Sequence, residues 1–153
     1  MMARPAFALP RDLPLRILDN SPDAVLICDR AGIVRYWNGA AERVFGFDAT
    51  EALGASLNLI IPERLRVRHW SGWEAAMTAG VTRYGDGQLL AVPALHKDGR
   101  QISIEFSIQL LKDAGGQIEW VAAIVREVTE RFNRDKDLRA ELKSLRAQGT
   151  GQP

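Results

Sequence analysis

From Ile102 to Leu110 the chain alternates apolar and polar side chains without a break, in the stretch QISIEFSIQLL at residues 101–111. In an extended strand this puts Ile102, Ile104, Phe106, Ile108 and Leu110 on one face and Ser103, Glu105, Ser107 and Gln109 on the other. One face must be dry and the other wet, so the chain needs a sheet covered on one side only.

The surrounding segments supply such a sheet. DAVLICDRAGIVRYWN holds two apolar runs about Asp29-Arg30-Ala31-Gly32, and its turn formers suit a hairpin with strands at about 24–28 and 33–37. Asn38-Gly39 and AAERVFG give a cap and a short helix ending at Gly46. Asp48 and Glu51 have the spacing of a capping box for a second helix. Pro62 opens a longer helix over about 62–79 that Gly80 stops. QLLAVPALH, the turn KDGR, the alternating strand and a last strand at about 118–128 complete the pattern. The expected fold class is α+β, with a five-stranded antiparallel sheet and helices on one face.

By the same reading, residues 1–12 are a flexible N-terminal arm and 13–129 one domain. Residues 130–147 form a charged amphipathic helix and 148–153 a disordered tail. The terminal helix spaces Leu138, Leu142 and Leu145 four and three apart, which suits either local packing or a parallel homodimer.

Composition narrows the function. The 153 residues are 46% hydrophobic and carry a net charge of +1, which gives no electrostatic case for nucleic-acid binding. Cys28 is the single cysteine, so an internal disulfide and a cysteine-rich zinc site are excluded, and a reducing cytoplasmic compartment fits best. No apolar run approaches the roughly 20 residues that span a bilayer, so no membrane anchoring is expected. There is no phosphate-binding glycine loop, no HExxH and no nucleophile with a base in motif spacing, so no enzyme activity is expected.

The segment IPERLRVRHWSGWEAAM, residues 61–77, sets a histidine among arginines and tryptophans. At 100° per residue, Leu65, His69, Gly72, Trp73, Ala76 and Gly80 share one face of the helix. His69 is therefore expected to face the sheet. His96, beside the KDGR turn, is expected to be exposed.

Three blocks in this order, SPDAVLICDRAGIVRYWNGAAERVFGFDATEALG, LLAVPALHKDGRQISIEF and AAIVREVTER with its charged helix, resemble PAS domains over residues 13–131. Such domains share a fold while binding haem, flavins, small organic ligands or nothing. The adduct-forming cysteine of light-sensing flavin domains has no counterpart in LNLIIPERL, and Cys28 reads as a small buried hydrophobe. The Pro-Glu…Arg…Arg-His pattern at 62–69 resembles the haem-binding PAS domains of oxygen-sensing histidine kinases, whose histidine at this place is the proximal iron ligand. The resemblance implies His69 as metal ligand to haem b, a gas or redox sensor, and signalling to a downstream effector protein through the terminal helix.

It further implies a pocket in which Gly72 and Ala76 leave room for the macrocycle and Leu65 and Trp73 are walls. Phe106 and Ile108 would line the distal side, with Val121 and Ala123 pointing inward. Basic partners for the propionates would come from Arg66, Arg68 and Arg83 with Tyr84. The distal arginine of the oxygen sensors is replaced here by Leu89 or Leu90. Bound oxygen gains from a distal donor more than carbon monoxide does, so CO, NO or redox sensing is favoured over O2, unless Trp70, Trp73 or Trp120 restores a donor. The alternatives are a cofactor-free dimerisation module and a non-covalent flavin redox sensor.

Overall fold

The computed structural model describes residues 8–83 and 88–150. The alternating segment is β4, Gln101–Lys112, and it lies between β3, Leu90–Leu95, and β5, Ile118–Glu127. The hairpin strands are β1, Ala24–Asp29, and β2, Val34–Trp37. All neighbours are antiparallel, in the order β2-β1-β5-β4-β3. Pro93 lies in β3, at the sheet edge, where a missing ladder donor is tolerated. The α+β architecture is the one expected.

Pairing fixes the faces, because directly opposed residues point to the same side. Ala94 faces Ile102, Val92 faces Ile104 and Leu90 faces Phe106; Leu26 faces Ala123, and Cys28 faces Val121. This inner face is covered by α2, Gly39–Phe45, α3, Ala49–Ala52, a 3-10 turn at Leu57–Leu59, and α4, Glu63–Ala79. Phe45, Ile102, Val34 and Cys28 are among the most deeply buried side chains. Helix α1, Leu13–Asp19, is tied to the opposite face, where the Tyr36 hydroxyl donates to Asp19 over 2.5 Å.

Local chemistry explains the short helices. Asp48 accepts from the Glu51 N–H while the Glu51 carboxylate accepts from the Asp48 N–H, the expected capping box. Gly46 ends α2 at φ 79°, a left-handed conformation that costs glycine little. Asn38 caps α2 and does more. Only 3% exposed, its Oδ1 accepts from the Val25 and Ala41 N–H groups at 2.9 Å each, and its Nδ2 donates to the Leu18 and Asp23 carbonyls at 2.9 and 3.1 Å. One side chain thus joins α1, β1 and α2 with every polar valence satisfied.

Helix α5, Thr129–Gly149, leaves the wet face of the sheet. The Val128 N–H donates to the Ser103 carbonyl, Thr129 Oγ1 accepts from the Ser103 N–H, and Arg131 pairs with Glu105. No residue of α5 is buried, and Phe132, Leu138, Leu142 and Leu145 stand exposed. The helix runs through residues 148 and 149, which composition alone assigned to a disordered tail. Glycine and glutamine continue the last turn because the preceding helix already holds the hydrogen-bond ladder.

Candidate functional site around His69

Helix α4 follows Pro62, whose ring suits a helix start but offers no side-chain cap. Arg66 folds back instead, donating from Nε to the Ile61 carbonyl at 3.1 Å and from Nη2 to the Asn58 carbonyl at 3.2 Å. It stops at Gly80, φ 73°. Between these ends the helix is held by two indoles. Trp70 Nε1 donates to Asn58 Oδ1 at 2.8 Å, and Trp73 Nε1 donates to the Arg30 carbonyl at 2.9 Å. Trp70 lies so close over the β1–β2 turn that a Cβ on Gly32 would stand 2.4 Å from its ring, at a residue with φ +78°.

His69 sits among these rings. Its centroid is 4.7 Å from that of Trp70, edge-on, and 5.9 Å from that of Trp73. Its Nδ1 is buried and has no hydrogen-bond partner, the only such side-chain atom among the described residues. Burial also holds the imidazole below its usual pKa of 6.5, because the charged form would lose hydration without a counter-charge. The ring is therefore neutral near pH 7, with a lone pair available at one nitrogen.

The helix is rolled relative to the expected face. His69, Trp73 and Ala76 are half-buried on it as anticipated, and Leu65 flanks them, but Gly72 is exposed with open space where a Cβ would stand. Trp70 and Met77 take its place on the inner side. They are, with Trp73, the largest apolar side chains of the helix, and their burial sets the roll.

Across from α4, the inner face changes along the strands. It is sealed at Ile102 and Ile104, then opens: Phe106, Ile108 and Leu110 are half-buried, as is Leu90, while Val92 is 39% exposed. Val121 and Ala123 point inward, as expected. Leu90, not Leu89, takes the inward position. Leu89 precedes the strand and is 63% exposed, so it does not join the site.

The donors considered for the distal side are otherwise engaged. Trp70 and Trp73 have the partners given above, and Trp120 is on the wet face, where it pairs with Leu111. Arg66 is bound to backbone carbonyls, Arg68 is exposed, and Arg83 is exposed beyond the end of α4. Tyr84 lies outside the described residues. His96, expected in solvent, has a side chain only 16% exposed, with its ring against Gly46, because the β3–β4 turn is pinned to α2 and α3 by the Lys97 N–H donating to the Phe45 carbonyl and by the Lys97–Glu51 pair.

Two residues that build the site escaped sequence reasoning. Arg30 donates from Nη1 to the Ile118 carbonyl at 3.2 Å and from Nη2 to the Met77 carbonyl at 3.4 Å. Asn58 receives Trp70. Both act over long sequence separations, and a turn arginine or a loop asparagine carries no periodic signal.

Among the described residues no three His, Cys, Asp or Glu side chains gather as a metal-binding group. A metal held at His69 would bring its other ligands with it, as a porphyrin does with its four nitrogens. The chain's own residues fit that group in two respects: a buried neutral imidazole nitrogen without a partner, and an apolar sheet surface left partly open. Cys28 offers nothing of the kind. Burial, then the neighbouring Asp29 charge, pushes its thiol up to about 12, so it is held as an inert thiol.

A single antiparallel sheet with helices over one face, α4 among them, defines a small α+β fold. The sequence model described as the PAS fold matches residues 18–133, and the chain belongs to the PAS family. It is 32% identical over 137 residues to a protein named Sensor protein FixL from Bradyrhizobium diazoefficiens, covering 86% of this chain and 26% of the relative. The chain thus spans about a quarter of that relative's length. Among solved structures, the PAS domain of a Colwellia psychrerythraea protein superposes with a TM-score of 0.67 at 22% identity, covering 76% of this chain and 95% of that one. An RNA-binding light-oxygen-voltage receptor gives 0.73 at 21% identity, covering 94% and 41%. At these identities the structures show a common fold. Among the described residues no helix is long and apolar enough to cross a membrane.

Proposed function

We propose that this PAS domain is a haem-binding sensor module in which His69 would hold the iron. The observation that carries the reading is the buried, unpartnered Nδ1 of a histidine kept neutral by its surroundings. A buried imidazole nitrogen left in that state costs stability unless something occupies it. The resemblance of residues 62–69 to haem-binding PAS domains, and the 32% identity to a sensor protein, support the same assignment.

Haem b would supply an iron with one position open to a diatomic gas or to a change of oxidation state. His69 orients that group. Trp73, Phe106, Ile108 and Leu90 would line it, and Leu90 stands inward where the oxygen sensors have an arginine. The wall is aliphatic and aromatic, which favours CO, NO or redox sensing over a stable oxygen complex. The signal would leave through β4, whose Ser103 and Glu105 hold the base of α5, toward a homodimer partner and a downstream effector.

A second reading, a cofactor-free interaction module, is favoured by one observation. Two open surface grooves, one bordered by Leu13, Ile17 and Pro22 and the other by Pro62, Arg64 and Leu95, do not include His69. Absorption separates the readings. Purified protein supplied with haemin should show an intense Soret band that His69→Ala abolishes and added imidazole partly restores. A haemin-indifferent, colourless protein would sink the proposal, and a flavin spectrum would replace it.

A further inference from the structure

Helix α4 is tied to the rest of the chain by side-chain hydrogen bonds at both of its ends. The N-terminal ties run to the 3-10 turn, through Arg66 and Trp70 to Asn58, and to β4, where Arg64 donates to the Gln101 side chain at 3.0 Å. In the C-terminal half the hydrogen bonds meet at one residue of the β1–β2 turn. Arg30 accepts the Trp73 indole N–H on its carbonyl, and its guanidinium bridges the Met77 carbonyl of α4 and the Ile118 carbonyl of β5. Met77 and Ile118 belong to a small buried cluster with Val121, against which Trp73, Ile108 and Leu110 pack. The Met77 carbonyl lies in the last turn of the helix, where acceptors lack intrahelical partners and a cation is favourable.

We propose that Arg30 is a positioning residue for His69: it clamps the C-terminal half of α4 to the sheet and so sets how readily the site beneath the helix opens. This rests on the reading of His69 as a cofactor ligand, but the clamp itself does not. Its side chain is exposed, so its removal leaves the core intact. Trp73 shares the same junction through a different bond, so the two residues should act as a unit.

The test uses the full chain with Arg30→Ala, Arg30→Lys, Trp73→Phe and the Arg30→Ala/Trp73→Phe pair. In haem-free protein, amide exchange in α4 should quicken about fivefold in Arg30→Ala, the loss expected for a modest net hydrogen-bond contribution, while the amides around Asn38 keep their protection. In haemin-loaded protein, transfer of haem to apomyoglobin should quicken by a similar factor. Arg30→Lys should fall between, and the double variant should barely exceed the larger single effect. Unchanged exchange in α4, or equal loosening everywhere, overturns the clamp. Loosened exchange with unchanged haem transfer overturns the positioning role. If α4 loosens in Arg30→Ala but no variant takes up haemin, the clamp stands and the haem assignment fails.

Discussion

Asn38, buried, and His69, half-buried with its Nδ1 inside, are polar side chains of the same small domain that are treated in opposite ways. Asn38 has each of its four hydrogen-bonding positions filled by backbone from α1, β1 and α2. His69 is surrounded by indole rings and has a buried nitrogen with no partner. The first pattern is architecture: a satisfied polar group fixes a corner of the fold, and its removal strands four backbone groups. The second leaves a polar atom that packing alone does not explain, since an apolar ring there would carry no such cost.

The comparison breaks most easily at Asn38. Asn38→Ala should cost roughly 3–5 kcal/mol, because it leaves buried donors and acceptors unpaired at three elements. Thermal unfolding followed by circular dichroism should fall by about 10 °C or more. A drop within a few degrees would mean that water replaces the amide and that the corner is not a keystone.

His69→Phe should move the other way. In ligand-free protein it replaces an unsatisfied nitrogen by a ring of similar shape, and a gain of up to ~1 kcal/mol is expected in urea unfolding. Haemin uptake should vanish in the same variant. A clear loss of stability without ligand would place His69 among the structural residues beside Asn38.

The smallest effect is the pH dependence. The folded protein holds His69 below its ordinary pKa of 6.5, so the unfolded chain binds the proton more readily. The stability that depends on a neutral His69 is complete above 6.5 and declines as pH falls from there toward the lower folded value. The slope cannot exceed about 1.4 kcal/mol per pH unit for one proton, and it should be shallower in His69→Phe. Identical slopes in the two proteins would show that the imidazole titrates freely.

The two regions also differ in how much of them the sequence disclosed. Everything local was legible: the alternation of β4, the turn at Asp29–Gly32, the Asp48–Glu51 box and the helix that begins at Pro62. Asn38 announced itself as a helix cap through the Asn-Gly pair, but its bonds to Val25, Leu18 and Asp23 come from elements brought together only by folding. Around His69, its half-burial followed from helix phase, whereas the roll that turned Gly72 outward and Met77 inward was set by where three large side chains found room. The Arg30 bridge to residues 77 and 118 has no periodic trace at all. Local propensity specifies elements; contacts between distant turns specify the site.

Because α5 is rooted at Ser103 and Glu105 and buries none of its 21 residues, it behaves as a pointer. At ~1.5 Å per residue it reaches roughly 30 Å from its root. A tilt of about 5° at the sheet would then sweep its tip by about 2–3 Å, enough to change which side chains meet a neighbour there. Motions too small to disturb the strands themselves become legible at the far end of the rod.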